Sequence, residues 1–298
     1  MMTFNAGIGL DRTVGLIGLG LVGTAIAQRL AQAGLRVIGF DLRPQAREAF
    51  RLLGHPTADS ITAVAQATSC VMLAVFDTQD VIEVVEGADG LLQAGAVRSI
   101  IDCSTGMPQM LEALALRLEK RHVDFIEAPL SGSSQQIAAG EATMLVGGNA
   151  GALAHCAAVL DAVTTKRIHV GGAGMGAKAK LATNLVLGLN RAALAEGMVF
   201  AESIGIAPAQ FLQLVLQTPA RSGAAEAKGQ MMVDGVFTPQ SRIHQHLKDV
   251  DLMIAAAGSA RQKLPLSETH AALMRSAIAA GDGDLDNAAI IQQIRREK

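Results

Sequence analysis

The stretch TVGLIGLGLVGTAIAQRLAQAGLRVIGFD, residues 13–41, decides the fold of this chain. The short apolar run Thr13–Ile17 is typical of a buried parallel strand. The glycine-rich turn GLGLVG follows at once, and residues 24–33 have the apolar periodicity of a helix. Arg36–Phe40 predicts a second strand, and Asp41 stands at its end. This order predicts the first βαβ unit of a doubly wound parallel sheet.

The three glycines of the turn have separate physical roles. Gly18 permits the tight turn, Gly20 lets a ligand approach the backbone, and Gly23 lets the helix pack closely on the strand. The helix that follows offers free N–H groups and the positive end of its dipole to a phosphate. Together these features predict a dinucleotide site. Its expected backbone is Gly18, Leu19, Gly20, Leu21, Val22 and Gly23.

The residues after the second strand bear on the choice between NAD and NADP. A carboxylate at Asp41 accepts hydrogen bonds from both ribose hydroxyls and repels a 2′-phosphate. Arg43 could instead bind that phosphate, or could be a solvated residue at the start of the next helix. Because charge repulsion is the more direct effect, we expect NAD, with NADP as the alternative and with Asp41, Leu42 and Arg43 at the adenosine ribose.

Strand and helix patterns alternate up to residue 170, which predicts an α/β, Rossmann-type doubly wound sheet. Further helices are predicted at 60–68, 77–86, 108–120 and 150–160, and further strands at 70–75, 100–103, 140–148 and 167–170. Ligands of such sheets lie beyond the carboxyl ends of the strands. We therefore place Val75, Phe76 and residues 102–105 near the cofactor, together with residues 128–133.

The stretch GMGAKAKLATN, residues 174–184, opens a long apolar helix that runs to about residue 204. Lys180 and Asn184 are four residues apart, so they share one helix face. Their neighbours are apolar on nearly every side, which predicts a buried helix between two domains. A buried lysine and asparagine are costly unless a polar group meets them. We interpret that group as a substrate.

The pattern changes after Gly205, where helix signals remain and strand signals end. Helices are predicted at 208–216, 241–257, 265–280 and 287–296. The predicted organisation is a dinucleotide-binding domain at 13–173, an all-α domain at 174–298, and a disordered leader at 1–12. The apolar, alanine-rich helices predict a homo-oligomer, either a dimer or a tetramer.

The composition excludes several classes of protein. The chain has 298 residues, a net charge of −2, no Trp and no Tyr, so it lacks the basic surface and stacking aromatics of nucleic-acid binders. No signal peptide or uninterrupted membrane-spanning run occurs in the sequence. Three widely spaced cysteines indicate reduced thiols and a cytoplasmic protein. His244 and His246 lack a third ligand, so no metal site is expected.

Four motifs occur in a fixed order along the chain. They are the glycine turn at 18–23, DCSTGMP at 102–108, APLSGS at 128–133 running on to the glycine pair at 147–148, and GMGAKAKLATN at 174–184; HLKD follows at 246–249. This set resembles the β-hydroxyacid dehydrogenase family, which includes 3-hydroxyisobutyrate dehydrogenases and tartronate semialdehyde reductases and is related to 6-phosphogluconate dehydrogenase. The resemblance runs from about Thr13 to the C-terminus.

The resemblance implies roles for particular residues. Lys180 is the implied catalytic acid/base, and Asn184 positions the substrate. The implied substrate carboxylate site is Ser131 with the backbone of Gly132 and Ser133. Thr105 is placed on the nicotinamide side. Lys248 is implied to reach the substrate and the cofactor, with Asp249 orienting it.

One departure from the family pattern concerns the substrate. The family usually has Ser-Gly-Gly where this chain has Ser131-Gly132-Ser133, and a glycine is common where Gln136 stands. A hydroxymethyl group at Ser133 narrows the pocket or adds a donor. This puts the identity of the substrate in doubt, and not the type of reaction.

Three function classes follow from these observations. The first is an NAD-dependent oxidoreductase acting on the hydroxyl carbon of a short β-hydroxy acid or on the corresponding semialdehyde. The second is an NADP-dependent semialdehyde or imine reductase on the same fold, although imine-reducing relatives usually have another acid in place of Lys180. The third is a non-catalytic dinucleotide sensor, in which Lys180 and Asn184 would have no role.

Overall fold

The structure is a computed structural model, and it describes residues 12–297. Its contacts divide the chain into two compact units between Ala179 and Lys180. The boundary predicted between residues 173 and 174 stays a prediction. The predicted leader lies outside the described residues, except for Arg12.

The first unit alternates strands and helices. In chain order they are β1 Thr13–Ile17, α1 Leu21–Gln32, β2 Arg36–Phe40, α2 Pro44–Leu52, α3 Ile61–Ala67, β3 Cys70–Leu73, α4 Thr78–Glu86, β4 Ser99–Asp102, α5 Pro108–Glu119, β5 Asp124–Glu127, β6 Leu130–Ser131, α6 Ser134–Ala138, β7 Thr143–Gly147, α7 Ala150–His155, α8 Ala157–Val163 and β8 Arg167–Gly171. Helix α9, Met175–Ser203, begins in this unit.

The strands form one eight-stranded sheet in the order β2-β1-β3-β4-β5-β7-β6, with β8 paired to β7. Strands β1 to β5 are parallel, which confirms the predicted doubly wound sheet. The sheet is mixed, because β7 pairs antiparallel with β5 and β6. The link from β6 to β7 contains only the short α6, and a parallel pairing needs a longer crossover connection.

Alternate strand residues enter two different cores, one on each face of the sheet. On β3, Cys70 and Met72 belong to one cluster, while Val71 and Leu73 belong to the other. The first cluster includes residues of α1 and α8, and the second includes residues of α3, α4 and α5. Successive side chains of a strand point to opposite faces, so a strand that is covered on both faces is apolar throughout.

The prediction of one continuous helix at 150–160 is wrong. The chain turns at Cys156, where φ is −93° and ψ is 3°, and α7 ends there as α8 begins. No proline or glycine marks this break in the sequence, so the apolar periodicity passes through it. The predicted cap is present, because the Asn149 side chain accepts the N–H of Ala152 at 2.8 Å.

The second unit is all-helical, as predicted. After α9 its helices are α10 Pro208–Gln217, α11 Gly223–Asp234, α12 Ile243–Ser259, α13 Pro265–Ala279 and α14 Ile290–Arg296. Helix α11 was not predicted, although both of its end signals are present. The Ser222 side chain accepts the N–H of Ala225, and Gly235 ends the helix with a left-handed φ of 68°.

The prediction that α9 is buried on nearly every side is wrong. One face packs in the core of the helical unit through Ala195 and Met198. The other face carries Val186 and Phe200, which are 57% and 63% exposed, with the exposed Ala193 midway between them. These three residues are spaced by seven, so they lie on one side of the helix.

Glu127, at the end of β5, holds the first turn of α9. Its buried carboxylate accepts the N–H of Gly174 and, at 3.1 Å, the N–H of Ala177. Burial raises the pKa of Glu127 to about 7; the two N–H donors oppose this shift, and the negative charge of Asp102 adds to it. The helix start is therefore bound by a carboxyl group that titrates near neutral pH.

We predict that Glu127 makes the stability of the chain depend on pH. Its pKa is about 7 in the folded chain against an ordinary value of 4.5, so its contribution to stability is full below pH 4.5 and is lost as the pH rises to about 7. At about 1.4 kcal/mol for each pH unit between the two pKa values, the loss is about 3 kcal/mol. Glu127→Gln lacks this titration.

The measurement is the free energy of unfolding by denaturant at several pH values between about 4.5 and about 8. The wild type should lose more stability over this interval than Glu127→Gln, whereas Glu119→Gln, a change at an exposed residue of α5, should follow the wild type. Parallel curves for the wild type and Glu127→Gln would contradict the prediction.

Candidate functional site

The glycine turn joins β1 to α1 with little free space around two of its glycines. Gly18 has a φ of 92°, and a Cβ there would collide with the carbonyl group of Ala74. A Cβ on Gly23 would collide with the carbonyl oxygen of Gly18. Only glycine fits at both positions, because the turn, the helix and the neighbouring strand end are in direct contact.

Gly20 has a different surrounding, since a Cβ there would meet nothing closer than Arg43 Nη2 at 3.9 Å. Gly20 is also the N-cap of α1, and no side chain among residues 12–297 caps the start of this helix. An open backbone with unpaired N–H donors at a helix start suits the pyrophosphate of a dinucleotide. The residues of the turn therefore fit the predicted cofactor.

Asp41 is bound to the glycine turn and to Arg43 at the start of α2. Its carboxylate accepts the N–H of Leu19 at 2.9 Å, the N–H of Arg43 at 2.9 Å, and the Arg43 guanidinium through Nε and Nη2 at 3.0 Å each. Burial raises the pKa of Asp41, but the hydrogen bonds from Arg43 and Leu19 outweigh burial and lower it overall. Asp41 is thus a buried anion, whereas Arg43 lies mostly in solvent.

The carboxyl ends of β3 and β4 bring together other predicted cofactor residues. The N–H of Val75 donates to Ser104 Oγ at 3.1 Å, and the N–H of Ser104 donates to Asp102 Oδ1 at 2.9 Å. Phe76 is exposed beside Val75, and Thr105 is half-buried beside Ser104. Ser104, which was predicted only to lie near the cofactor, joins the two strand ends through these hydrogen bonds.

The Ser131–Ser133 loop differs from the expectation in one respect. Ser133 and Gln136 form a reciprocal cap at the start of α6: the N–H of Ser133 donates to Gln136 Oε1 at 2.8 Å, and Ser133 Oγ accepts the N–H of Gln136 at 3.3 Å. Ser133 is therefore bound within the loop. Ser131 is half-buried and Gly132 is exposed.

The helical unit places the predicted catalytic pair on one face of α9. Lys180 and Asn184 are each 8% exposed. Asn184 Nδ2 donates to Asp249 Oδ2 at 3.0 Å, and Asp249 Oδ1 pairs with Lys248 Nζ at 2.9 Å. Asp249 of α12 thus fixes the amide of Asn184 as well as the ammonium of Lys248.

The surroundings of Lys180 favour its neutral form. Burial lowers the pKa of Lys180; the negative charge of Asp249 opposes this shift, and the positive charges of Lys248 and Arg191 add to it. A lysine with a lowered pKa exchanges a proton more readily near neutral pH than an exposed lysine does.

Two buried charged residues, one in each unit, were not identified from the sequence. Glu127 lies just before the APLSGS motif, and its burial follows from β5, which was not predicted. Arg191 was given no role from the sequence, although it lies on the same face as Asn184, seven residues on. That spacing is the signal that could have identified Arg191.

Comparison with known proteins agrees with this geometry. The family model for the NAD binding domain of 6-phosphogluconate dehydrogenase matches residues 13–172. The model for the NAD-binding domain of NADP-dependent 3-hydroxyisobutyrate dehydrogenase matches residues 174–294. The chain belongs to the β-hydroxyacid dehydrogenase family.

Individual β-hydroxyacid dehydrogenases match over nearly their whole length. L-threonate dehydrogenase of Cupriavidus necator is 31% identical over 95% of this chain and 96% of its own. 2-Hydroxy-3-oxopropionate reductase of Escherichia coli K12 is 29% identical over 94% and 96% of the two chains. The crystal structure of 3-hydroxyisobutyrate dehydrogenase from Salmonella typhimurium has a TM-score of 0.84 and 30% identity, and covers 95% of this chain and 99% of its own.

As a β-hydroxyacid dehydrogenase, the chain is an NAD(P)-dependent oxidoreductase acting on CH–OH groups. None of the helices described between residues 12 and 297 combines the length and the hydrophobicity that a membrane span requires. The same part of the chain contains no group of three or more His, Cys, Asp or Glu side chains that could hold a metal ion. All three cysteines are free and buried.

Proposed function

We propose that this enzyme transfers hydride between NAD and the hydroxyl carbon of a short β-hydroxy acid, or reduces the corresponding semialdehyde. The observation that carries the proposal is the buried pair of Lys180 and Asn184, with Asn184 fixed by Asp249. The relatives named for L-threonate and for 2-hydroxy-3-oxopropionate support a small acid of this class.

Lys180 is the proposed acid/base. The bound nicotinamide supplies the redox chemistry, so the protein has to move one proton and to hold the substrate. In oxidation, neutral Lys180 takes the hydroxyl proton as hydride leaves the same carbon. In reduction, its ammonium form protonates the developing alkoxide. The lowered pKa of Lys180 shifts its protonation equilibrium toward the neutral form that oxidation requires.

Asn184 is the proposed positioning group for the substrate hydroxyl. Its amide nitrogen is bound to Asp249, so its carbonyl oxygen is left to accept a hydrogen bond from the substrate or from Lys180. Lys248, paired with the same Asp249, adds a positive charge that attracts an acidic substrate and the cofactor. One carboxylate thereby orients two of the proposed binding groups.

Ser131 and Gly132 are the proposed binding groups for the substrate carboxylate, through the serine hydroxyl and the glycine N–H. Ser133 was expected to contribute its backbone, but its N–H is bound to Gln136. We therefore assign Ser133 to holding the loop conformation. In this proposal the Ser133 side chain shapes the loop and does not bind the carboxylate.

NAD is the proposed cofactor because Asp41 is a buried carboxylate bound to the glycine turn through Leu19. A 2′-phosphate there would meet a negative charge. Arg43 is paired with Asp41, so binding a 2′-phosphate would require this ion pair to break. Val75, Phe76 and Thr105 are proposed to line the nicotinamide side.

A homo-oligomer is proposed from the exposed apolar stripe of α9, which carries Val186, Ala193 and Phe200. Exposed apolar patches of this kind mark interaction surfaces, and most oligomers join identical chains. The cytoplasmic location stays a prediction.

We predict that Lys180→Ala lowers kcat by about 100- to 10,000-fold, which is the usual contribution of a positioned acid/base. The measurement is NADH formation with a panel of short β-hydroxy acids, together with NADH binding followed by fluorescence. Binding should be unchanged in the variant. The matched control is Lys178→Ala, since Lys178 is half-exposed and pairs with Glu112 at 3.8 Å; its kcat should equal that of the wild type.

A wild type that binds NADH but oxidises no acid of the panel and reduces no semialdehyde would favour a dinucleotide sensor. Turnover by Lys180→Ala at the rate of the wild type would remove Lys180 from the mechanism.

We predict that Asp41 sets the cofactor preference. The wild type should use NAD better than NADP by about tenfold or more, and Asp41→Asn should reduce this ratio by about tenfold, which corresponds to about 1.4 kcal/mol. The reason is that the substitution removes the repulsive charge and frees Arg43. Arg43→Ala is the control, because it should leave kcat/KM for NAD near that of the wild type. The same ratio of kcat/KM for NAD to kcat/KM for NADP in the wild type and in Asp41→Asn would contradict this assignment.

We predict a molar mass in solution that is a multiple of the 30.8 kDa chain, measured by size exclusion with light scattering. Phe200→Asp should shift the mass toward one chain, because a charge in an apolar interface is left unpaired. Glu119→Gln, on the exposed side of α5, is the control. A wild type that is monomeric at high concentration would exclude the oligomer.

A further inference from the structure

Polar groups continue along α9 beyond the proposed catalytic pair. Arg191 follows Asn184 by seven residues, on the same face, and is 4% exposed. Its Nε and Nη1 atoms are buried and have no hydrogen-bond partner among residues 12–297. Burial lowers the pKa of Arg191 only to about 10, so the group stays charged at neutral pH. A charged donor buried without an acceptor is costly.

His246 of α12 lies beside the same turn of α9. It is 3% exposed, and its Nε2 atom also has no partner within the described chain. A Cβ on Gly188 would be 2.5 Å from this Nε2. Long side chains of a helix lean over the preceding turn, so Arg191 covers the turn that contains Gly188. The missing side chain of Gly188 thus lets the His246 ring lie directly against α9, at the turn that Arg191 covers.

Two histidines and two lysines lie near Arg191. Burial and the positive charge of Arg191 lower the pKa of His246 well below its ordinary value, and burial lowers the pKa of His270 to about 4, so both rings are neutral. Lys180 and Lys228 are the nearby lysines whose pKa values Arg191 lowers further.

The neighbouring carboxylate is already occupied. Asp286 attracts Arg191, but Asp286 Oδ2 accepts Lys228 Nζ at 2.8 Å and the N–H groups of Gln240 and Ser241, and Oδ1 accepts the N–H of Ala288 at 3.0 Å. Three donors, two on Arg191 and one on His246 in its Nε2–H tautomer, therefore point to an acceptor that the described protein does not supply.

We propose that Arg191 and His246 form a binding site for a small oxyanion inside the helical unit. An oxyanion offers several acceptor lone pairs and a negative charge, which are the two properties that this cluster lacks. Two sources share this chemistry. One is a free anion such as inorganic phosphate. The other is a second acidic group on the substrate, and this source rests on the proposed function.

The first experiment is thermal unfolding of the full chain in inorganic phosphate against chloride at equal ionic strength. The Tm of the wild type should rise by about 5 °C at a phosphate concentration on the order of 100 Kd. Arg191→Met should show no specific rise. The matched control is Arg275→Met, which removes an equal charge from an exposed position and should follow the wild type.

The second experiment identifies the source of the oxyanion. It compares 3-hydroxyisobutyrate with 2-(hydroxymethyl)glutarate, which carries a second carboxylate. If the oxyanion belongs to the substrate, Arg191→Met should raise KM about tenfold or more for the second acid only, and phosphate should compete with that acid. If it is a free anion, phosphate should shift the Tm while the ratio of kcat/KM values for the two acids stays equal in both proteins.

The proposal is overturned if the Tm values of the wild type and Arg191→Met respond equally to phosphate and the ratio for the two acids is also unchanged. If the wild type turns over neither acid, the proposed function fails, and the phosphate experiment still decides the oxyanion site.

A folding control separates this site from a purely structural arginine. In phosphate-free buffer Arg191→Met should have a Tm equal to or above that of the wild type, because it removes an unpaired buried charge. A large loss of Tm in both Arg191→Met and Arg191→Lys under these conditions would show that the protein itself holds the guanidinium, and would overturn the proposal.

Discussion

The helical unit depends on burying a line of polar groups along one face of α9. Lys180, Asn184 and Arg191 recur at helical spacing in an otherwise alanine- and leucine-rich segment, and each is almost fully removed from solvent. Apolar packing alone would be cheaper at these positions, since burial of a charge without compensation costs several kcal/mol. The partners on α12 offset part of this cost, and bound ligands would offset the remainder.

In the dinucleotide-binding unit, by contrast, the main constraint is the backbone geometry of the glycine turn. The close approach of Gly18 to the end of β3 and of Gly23 to Gly18 leaves no room for side chains. The acidic residue at the end of β2 then ties the turn to the next helix through Leu19 and Arg43. The acidic residue can therefore act only on a turn whose close contacts already require glycine.

The sequence was informative where local signals and tertiary structure agree. The arrangement of strand, glycine turn and acidic residue within residues 13–41 could be predicted from the sequence, because the local backbone dictates each residue type there. The break at Cys156 and the reversal of β7 were not predictable in this way, since they depend on what the chain packs against. The same holds for Glu127, whose importance comes from burial and from partners distant in sequence, and for Arg191, whose buried Nε and Nη1 atoms have no hydrogen-bond partner among residues 12–297.

The reciprocal cap between Ser133 and Gln136 also has an evolutionary consequence. Each residue satisfies a donor of the other, so a glycine at one position leaves the second side chain without its function. Substitutions at positions 133 and 136 should therefore appear together in descendants of this sequence. A lineage that gains glycine at one of these positions is expected to lose the capping side chain at the other. Divergence of this loop would then proceed in paired steps.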